Sequence, residues 1–483
     1  MKSRFLLIAV GALMLTACAL GPDYKAPEDA MPEQWRSAGD ALSSQDVDAQ
    51  WWKQFNDPAL NDLVDRALQN NPDITIAGLR LAQSRAQRGA AAGARWPSVN
   101  AGALYDRERQ SENGVSTRVI NLIVPPAQRD EIISVLSEPF SVYQAGFDAA
   151  WELDLWGRVR RSVESADATL QASGENLHDA QLSLTAEVVR TYLELRGVQE
   201  QLRIANADVV ASADLVELTT YRVKGGIVDE LDLSTQRARL SQTRSSIPQL
   251  QQQQTQIISA LGLLLNVQPG VLDTQLANQV EGFQMPRTIA GGVPSEVARR
   301  RPDIRRAEAQ LHAATAEIGV AVADLYPRIT LTGSFVQQSL DASDLTEWGS
   351  RQWSIGPSIS LPIFDGSRRR SVVEIRKLQQ QEAAVNYQRT VLHAWHEIEN
   401  ALSAYEAERR RNQELGETLS ASRDAYDIAH VRYNHGLVNY LVELDAHRTL
   451  LQAERAYSES NTQVATQLVA IYKALGGGWS DVQ

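Results

Sequence analysis

Residues 143–155 read Tyr143-Gln144-Ala145-Gly146-Phe147-Asp148-Ala149-Ala150-Trp151-Glu152-Leu153-Asp154-Leu155. The odd-numbered positions are apolar and the even-numbered ones polar or small. Period two gives a strand one greasy face and one polar face. Three further segments share the pattern. Trp353, Ile355, Pro357, Ile359, Leu361 and Ile363 alternate with Ser354, Gly356, Ser358 and Ser360; Ile329, Leu331 and Phe335 oppose Thr330, Thr332 and Ser334; Val99, Ala101, Ala103 and Tyr105 form a weaker ribbon. Each is close to the length of a tilted membrane strand, about 9–11 residues, or longer. The competing reading is a half-buried sheet in a soluble sandwich, but four strands split into two pairs by long helices make a poor one. Nor can four close a barrel, for which about eight is the practical minimum. Three protomers contributing four strands each would close one of about twelve. Trp151, Trp156, Trp348 and Trp353 lie near strand ends, where an interfacial aromatic girdle sits, although tryptophan at an ordinary domain surface reads the same way.

Outward from this ribbon, nothing from Gly157 to Arg222 clearly stops a helix apart from Gly174 and Gly197. Leu177, Leu184, Val188, Leu195, Val198, Leu202, Ala205, Val209 and Val216 fall on one seam at three- and four-residue steps, the repeat of coiled-coil packing. A helix this long reaches on the order of 100 Å. Val391, Trp395, Ile398, Leu402 and Tyr405 begin a matching seam. Each long helix meets a glycine turn, Gly225-Gly226 or Gly436, and returns to Leu261 or Leu475.

The chain says nearly everything twice. Asn71-Pro72-Asp73-Ile74 opens a helical stretch ending at Trp96-Pro97, and Arg301-Pro302-Asp303-Ile304 opens another ending at Tyr326-Pro327, with Gly89 answering Gly319. Arg222-Val223-Lys224-Gly225-Gly226-Ile227-Val228 answers Arg432-Tyr433-Asn434-His435-Gly436-Leu437-Val438. Two copies, each about half the chain, argue against a solenoid of short repeats. They divide the sequence into a leader (1–17), an N-terminal extended segment (18–56), a first repeat (57–265), a Pro/Gly-rich linker (266–292), a second repeat (293–476) and a tail (477–483). Asp57 can cap a helix from Pro58 to Asn70, and Pro294 begins its counterpart. Residues 106–138, with Pro125-Pro126, read as an extracellular loop whose apolar run Val119–Val124 is odd for exposed sequence.

The leader reads as an export signal: Lys2 and Arg4, an apolar run from Phe5 to Leu15, then Leu15-Thr16-Ala17-Cys18. Cys18, the only cysteine, rules out an internal disulfide framework. No later window offers the roughly 18 apolar residues of a membrane helix. The net charge of −12 argues against a nucleic-acid partner. Arg158, Arg160 and Arg161, then Arg368, Arg369 and Arg370, follow the second strand of each copy. Cations at a helix start oppose its dipole, so either anionic lipid headgroups offset the cost or the cluster is a plain solvated face. His178, His312, His393, His396, His430, His435 and His447 are scattered. His393 and His396 can share a helix face beside Glu397 but lack a third ligand, no phosphate-cradling glycine loop follows a strand, and no nucleophile sits in a recognisable setting, so neither an enzyme nor a metal protein is expected.

Cys18 in its setting resembles the lipobox of bacterial lipoproteins, in which the cysteine takes a diacylglycerol and its new amine is acylated; Ala19 rather than Asp after it favours sorting to the outer membrane. With Gly21-Pro22-Asp23-Tyr24, the Trp51-Trp52 pair, the duplicated Pro-Asp-Ile segments and the Arg-x-x-x-Gly turns, essentially the whole mature chain resembles the TolC-like outer-membrane efflux proteins, in particular the lipoprotein branch called NodT-like or OprM-like. The resemblance implies a homotrimer whose twelve-stranded outer-membrane β-barrel continues into a long periplasmic barrel of α-helices. It implies a passive exit duct for small molecules, joined through a periplasmic adaptor protein to an inner-membrane pump of the proton-driven RND type, with no cofactor beyond the covalent lipid on Cys18.

The same resemblance places Gly225, Gly226, Ile227, Val228, Gly436, Leu437 and Val438 at adaptor-docking tips, a role compatible with their being turn residues. It places Asp445 at a periplasmic gate, where three symmetric carboxylates would hold cations. A second family acid three residues earlier is Val442 here, and Glu443 lies about 100° around the helix. Glu230 and Asp232 could add charge near the mouth, and Asp148, Glu152 and Asp154 would line the lumen; a solvated face is the other reading of the gate acids. Two rivals remain. A structural or adaptor lipoprotein would share the lipobox and heptads but not need four greasy-faced strands, and the exit duct of an ABC-driven protein-secretion system stays within the channel class.

Overall fold

The computed structural model describes residues 19–27, 35–36, 42–43, 48–277, 289–290, 297, 299–477 and 479. The leader, Cys18 and the helix start expected at Pro294 lie outside the described residues. The chain forms two compact units: one from residues up to Lys25, Arg85–Thr169 and Leu311–Glu382, the other from Ala26–Ser84, Leu170–Gln310 and Ala383 onward.

The main elements in chain order are α1 (Pro58–Asn70), α2 (Pro72–Gly93), β1 (Ser98–Glu108), α3 (Val115–Ile123), α4 (Pro126–Leu136), β2 (Phe140–Glu152), α5 (Arg158–Lys224), α6 (Glu230–Leu264), α7 (Pro302–Ala323), β3 (Arg328–Ser339), β4 (Arg351–Ser360), α8 (Arg368–Asn434) and α9 (Tyr440–Ala474). The four long helices measure 67, 35, 67 and 35 residues, so the two copies agree in length.

In the first unit the strands form one antiparallel sheet in the order β1-β2-β3-β4. Register carries the alternation across all four. Ala101, Phe147, Phe335 and Trp353 stand in one row, and Val99, Ala149, Gly333 and Ile355 in another. The rows between are polar, as in Asn100, Asp148, Ser334 and Ser354. The apolar face is uncovered: Trp353 is 69% and Ile355 71% exposed. Among the described residues β1 and β4 each leave one edge unpaired.

The strands start or stop a few residues from where alternation alone would set them; β2, for example, ends at Glu152 rather than Leu155. The stretch 106–138 departs further from expectation. β1 extends to Glu108, and α3 and α4 replace the expected loop. Pro125-Pro126 separates the two helices, with Pro126 at the first helical position where its missing N–H costs nothing. The run Val119–Val124 is thus mostly helical, ending with Val124 at the C-cap of α3. Neither helix has a side-chain N-cap, although Val115, Val119, Leu122 and Ile123 recur at helical spacing in α3.

The second unit is helical. Asp57 caps α1 through Ala59 N–H at 2.9 Å, as its position implied. Trp51 and Trp52 are buried in the core, with Trp51 stacked on Tyr472 at 4.8 Å. The seam of α5 reaches the core through Leu184, Val188 and Leu195, and that of α8 through Ile398, Leu402 and Tyr405. The interval 266–292 includes a short helical turn, Asp273–Leu276, and a two-residue bridge in which Ile289 and Ala290 pair with Leu42 and Ser43.

Candidate functional site

The two helix-to-helix turns are built alike. In the first, Ile227 N–H donates to Arg222 O at 2.9 Å and Gly226 N–H to Val223 O at 2.9 Å; in the second, Leu437 N–H donates to Arg432 O and Gly436 N–H to Tyr433 O, both at 2.9 Å. This double closure needs a left-handed residue, and Gly226 (φ 66°) and Gly436 (φ 69°) supply it. The turn leaves Ile227 74% and Leu437 73% exposed. Each tip therefore presents one apolar side chain at matching positions, next to half-buried Val228 and Val438 and exposed Gly225. Asp229 and Asn439 then cap the return helices.

Beyond the tips, Asp445 and Glu230 are exposed and Asp232 is half-buried. Glu443 faces elsewhere, as its angular offset required: its side chain is 3% exposed and its Oε1 lies 2.6 Å from His430 Nδ1. This carboxylate belongs to a buried polar seam that the sequence did not disclose. His447 Nδ1 accepts from the guanidinium of Arg239 on α6. The same guanidinium lies 3.6 Å from Asp208 on α5, which also accepts from Thr243 (3.0 Å) and Ser212 (3.2 Å). The available signal was Asp208 itself, a charge three residues past Ala205 within an apolar heptad seam.

In and just after β2, the three acids expected to face a lumen fall into two kinds. Asp148 is exposed on the polar face and accepts from Asn100 at 3.0 Å. Glu152 takes a two-point contact from Arg158 (2.8 and 2.7 Å). Asp154 accepts from the backbone N–H groups of Val159 and Arg160 and so caps α5. These acids answer the cations at the helix start; Glu152 holds the Arg158 guanidinium above its ordinary pKa. Arg161 is held by Asp23 (2.6 Å) and Glu164 (2.8 Å) and donates to Leu20 O. Leu20 N–H donates to Trp156 O, and Tyr24 stacks on His312 at 4.2 Å. The residues just after Cys18 are thus fastened to the first unit.

Among the described residues no group of three or more His, Cys, Asp or Glu could hold a metal ion, and no helix is long and apolar enough to cross a membrane.

Comparison with known proteins returns one family, twice. The model of the outer membrane efflux protein family matches residues 63–267 and again 293–477. Outer membrane protein OprJ of Pseudomonas aeruginosa is 34% identical over 475 residues, covering 97% of this chain and 95% of OprJ. The antibiotic efflux pump outer membrane protein ArpC of Pseudomonas putida is 32% identical over 486 residues, covering 99% of this chain and 96% of its own. The solved outer-membrane channel OprN superposes with a TM-score of 0.85 at 36% identity, covering 96% of this chain and all of that one.

Proposed function

We infer that this chain, which belongs to the outer membrane efflux protein family, is the outer-membrane channel component of a tripartite efflux system. It is a conduit extending into the periplasm, not an enzyme. The observation that carries this reading is the four-stranded sheet with one continuous uncovered apolar face and two free edges, joined to helices of 67 and 35 residues in duplicate. Such a sheet needs its apolar face covered and its edges paired, and lipid together with the strands of further copies meets both needs.

Three copies are proposed to pool their strands into a barrel of about twelve, with Asp148 on its lumen side and Glu152 and Asp154 at the junction below. Cys18, in the NodT-like or OprM-like lipoprotein branch, is proposed to carry the lipid that anchors the chain alongside the barrel. The tips formed by Gly225, Gly226, Ile227, Val228, Gly436, Leu437 and Val438 are proposed to dock a periplasmic adaptor, and through it an RND-type pump. Exposed apolar side chains at equivalent positions of both turns support that assignment. Asp445, with Glu230 and Asp232, is proposed to line the periplasmic gate. The antibiotic-efflux role that ArpC's name carries supports small molecules over a secreted protein as cargo.

The test is the full-length protein carrying Cys18→Ser. Extraction from membranes only by detergent, heat-modifiable migration and ion conductance in planar bilayers are expected; release as a soluble periplasmic protein would instead make it an adaptor. Within the conducting protein, Asp445→Ala is expected to raise conductance and weaken its response to divalent cations, and unchanged values would remove the gate assignment. A photocrosslinker at Gly436 is expected to capture the adaptor in cells; its capture only from positions far from both tips would relocate the docking site.

A further inference from the structure

We propose that the polar seam between the two helical hairpins is a proton-binding site, and that protonation of His447 drives the α5/α6 hairpin and the α8/α9 hairpin apart. The proposal rests on the channel reading and deepens it, adding a regulatory ligand to the duct.

The geometry sets the charge state. A guanidinium is always charged and can only donate. Because Arg239 donates to Nδ1 of His447, that nitrogen must carry its lone pair, and the buried imidazole is neutral. A neutral histidine on α9 is therefore the acceptor that ties the second hairpin to α6 of the first. Arg222 stacking over Tyr433 at 4.6 Å is a second tie between the hairpins, nearer the tips. Every element around His447 contributes a charged or titratable group. Asp208 comes from α5, Arg239 from α6, and Tyr426 (ring 4.9 Å away) and His430 from α8; Glu443 lies one turn earlier on α9. Asp208 is the carboxylate at the guanidinium, and Glu443 is engaged with His430. A proton on His447 places a second buried cation against Arg239 and removes the acceptor that joined them.

Burial, then the Arg239 charge, pushes the His447 imidazole down to about 4 from its ordinary 6.5. Parting the hairpins returns it to water and to the ordinary value. The joined state thus binds the proton more weakly. Its advantage is present above pH 6.5 and is lost as pH falls through the window from 6.5 to 4. Linkage across that window shifts the equilibrium toward separation about eightfold between pH 7 and 5.5, and about a hundredfold by pH 4. The response therefore begins well above the pKa of the buried group itself.

The seam is also weakly held. Gln236 Nε2 and Oε1, Arg239 Nη1, Tyr440 OH and Glu443 Oε2 are buried and have no hydrogen-bond partner among the described residues. Water satisfies such groups as the helices part, so separation here recovers hydration that an apolar seam would not offer.

The experiment places spin labels at Ser241→Cys on α6 and Thr449→Cys on α9, both exposed positions, in a full-length Cys18→Ser background reconstituted in nanodiscs. Pulsed distance measurements are taken from pH 7 to 5.5. The ratio of separated to joined population is expected to rise about eightfold with native His447 and to stay flat in His447→Gln, which keeps a neutral acceptor. His447→Leu provides a second non-titrating variant should the first not assemble, and His430→Gln is expected to retain the rise. A flat response with native His447, or an undiminished rise in either His447 variant, overturns the proposal. Planar-bilayer recordings at the same pH values read the channel separately. Absence of conductance at every pH would defeat the duct reading, while the distances would still decide the seam.

Discussion

The two copies end their strands and start their long helices in different company. In the first, Arg158 and Arg161 are met by Glu152, Asp23 and Glu164, and Asp154 caps the helix and pairs with Arg160. In the second, Arg369 lies 3.9 Å from Asp365, while Arg368 and Arg370 are exposed with no acidic partner among the described residues. The glycines differ in the opposite sense, for here the second copy is the crowded one. A Cβ on Gly319 would sit 2.9 Å from Leu20 O and 2.7 Å from the Arg161 side chain, whereas one on Gly89 would meet nothing within 4 Å. Gly21, at φ 91°, brings its backbone against Gly319. The N-terminal segment thus rests on α5 of the first copy and α7 of the second together, while their counterparts Gly89 and the start of α8 meet no such segment among the described residues. Helix lengths are paired in the two copies, but the segment demands a glycine at 319 and a long cation at 161 that the counterpart positions do not need.

Substitution should separate the copies in order of size. Gly319→Val is expected to destabilise the detergent-solubilised protein by about 3 kcal/mol in denaturant titration, since the Leu20 backbone cannot move aside as a side chain would. An effect below the error of the titration would mean the N-terminal segment is not seated on α7. Arg161→Ala comes next, at about 2 kcal/mol; its own side chain is only 5% exposed, but the partial exposure of its partners tempers the loss. In the second copy, where Ser371 answers Arg161 and Arg370 answers Arg160, Arg370→Ala should fall within about 0.5 kcal/mol in a single protomer, and a cost equal to that at Arg161 would erase the distinction. Smallest of the glycine effects, Gly89→Ala should stabilise by up to about 1 kcal/mol through helix propensity alone. A destabilised Gly89→Ala trimer would reveal that this groove is occupied in the assembly.

Much of the architecture was legible because it rests on local periodicity. The alternation in residues 143–155 marked β2, the Leu184–Val188–Leu195 seam marked α5, and Gly226 and Gly436 marked both tips. Asp57 signalled its helix by one side chain that serves two backbone donors. What stayed hidden depends on residues distant in sequence. Nothing near Gly319 announces that Leu20 and Gly21 will lie on it, and nothing near His447 announces Arg239, 208 positions away. The α3 helix was overlooked although Val115, Val119, Leu122 and Ile123 recur at helical spacing, because their exposed apolar stripe lies between strands where a loop was expected; α4 has no buried residue to mark it.

The matched spans of α5 with α8 and of α6 with α9 act as a ruler. Each residue added to a helix lengthens it by about 1.5 Å, so a turn inserted in one copy alone would leave its glycine bend about 5.4 Å proud of the other. A socket that grips both bends at one level would reject the mismatched chain, however soundly each helix folded. Under such a grip, growth or shrinkage of these arms would have to proceed in pairs.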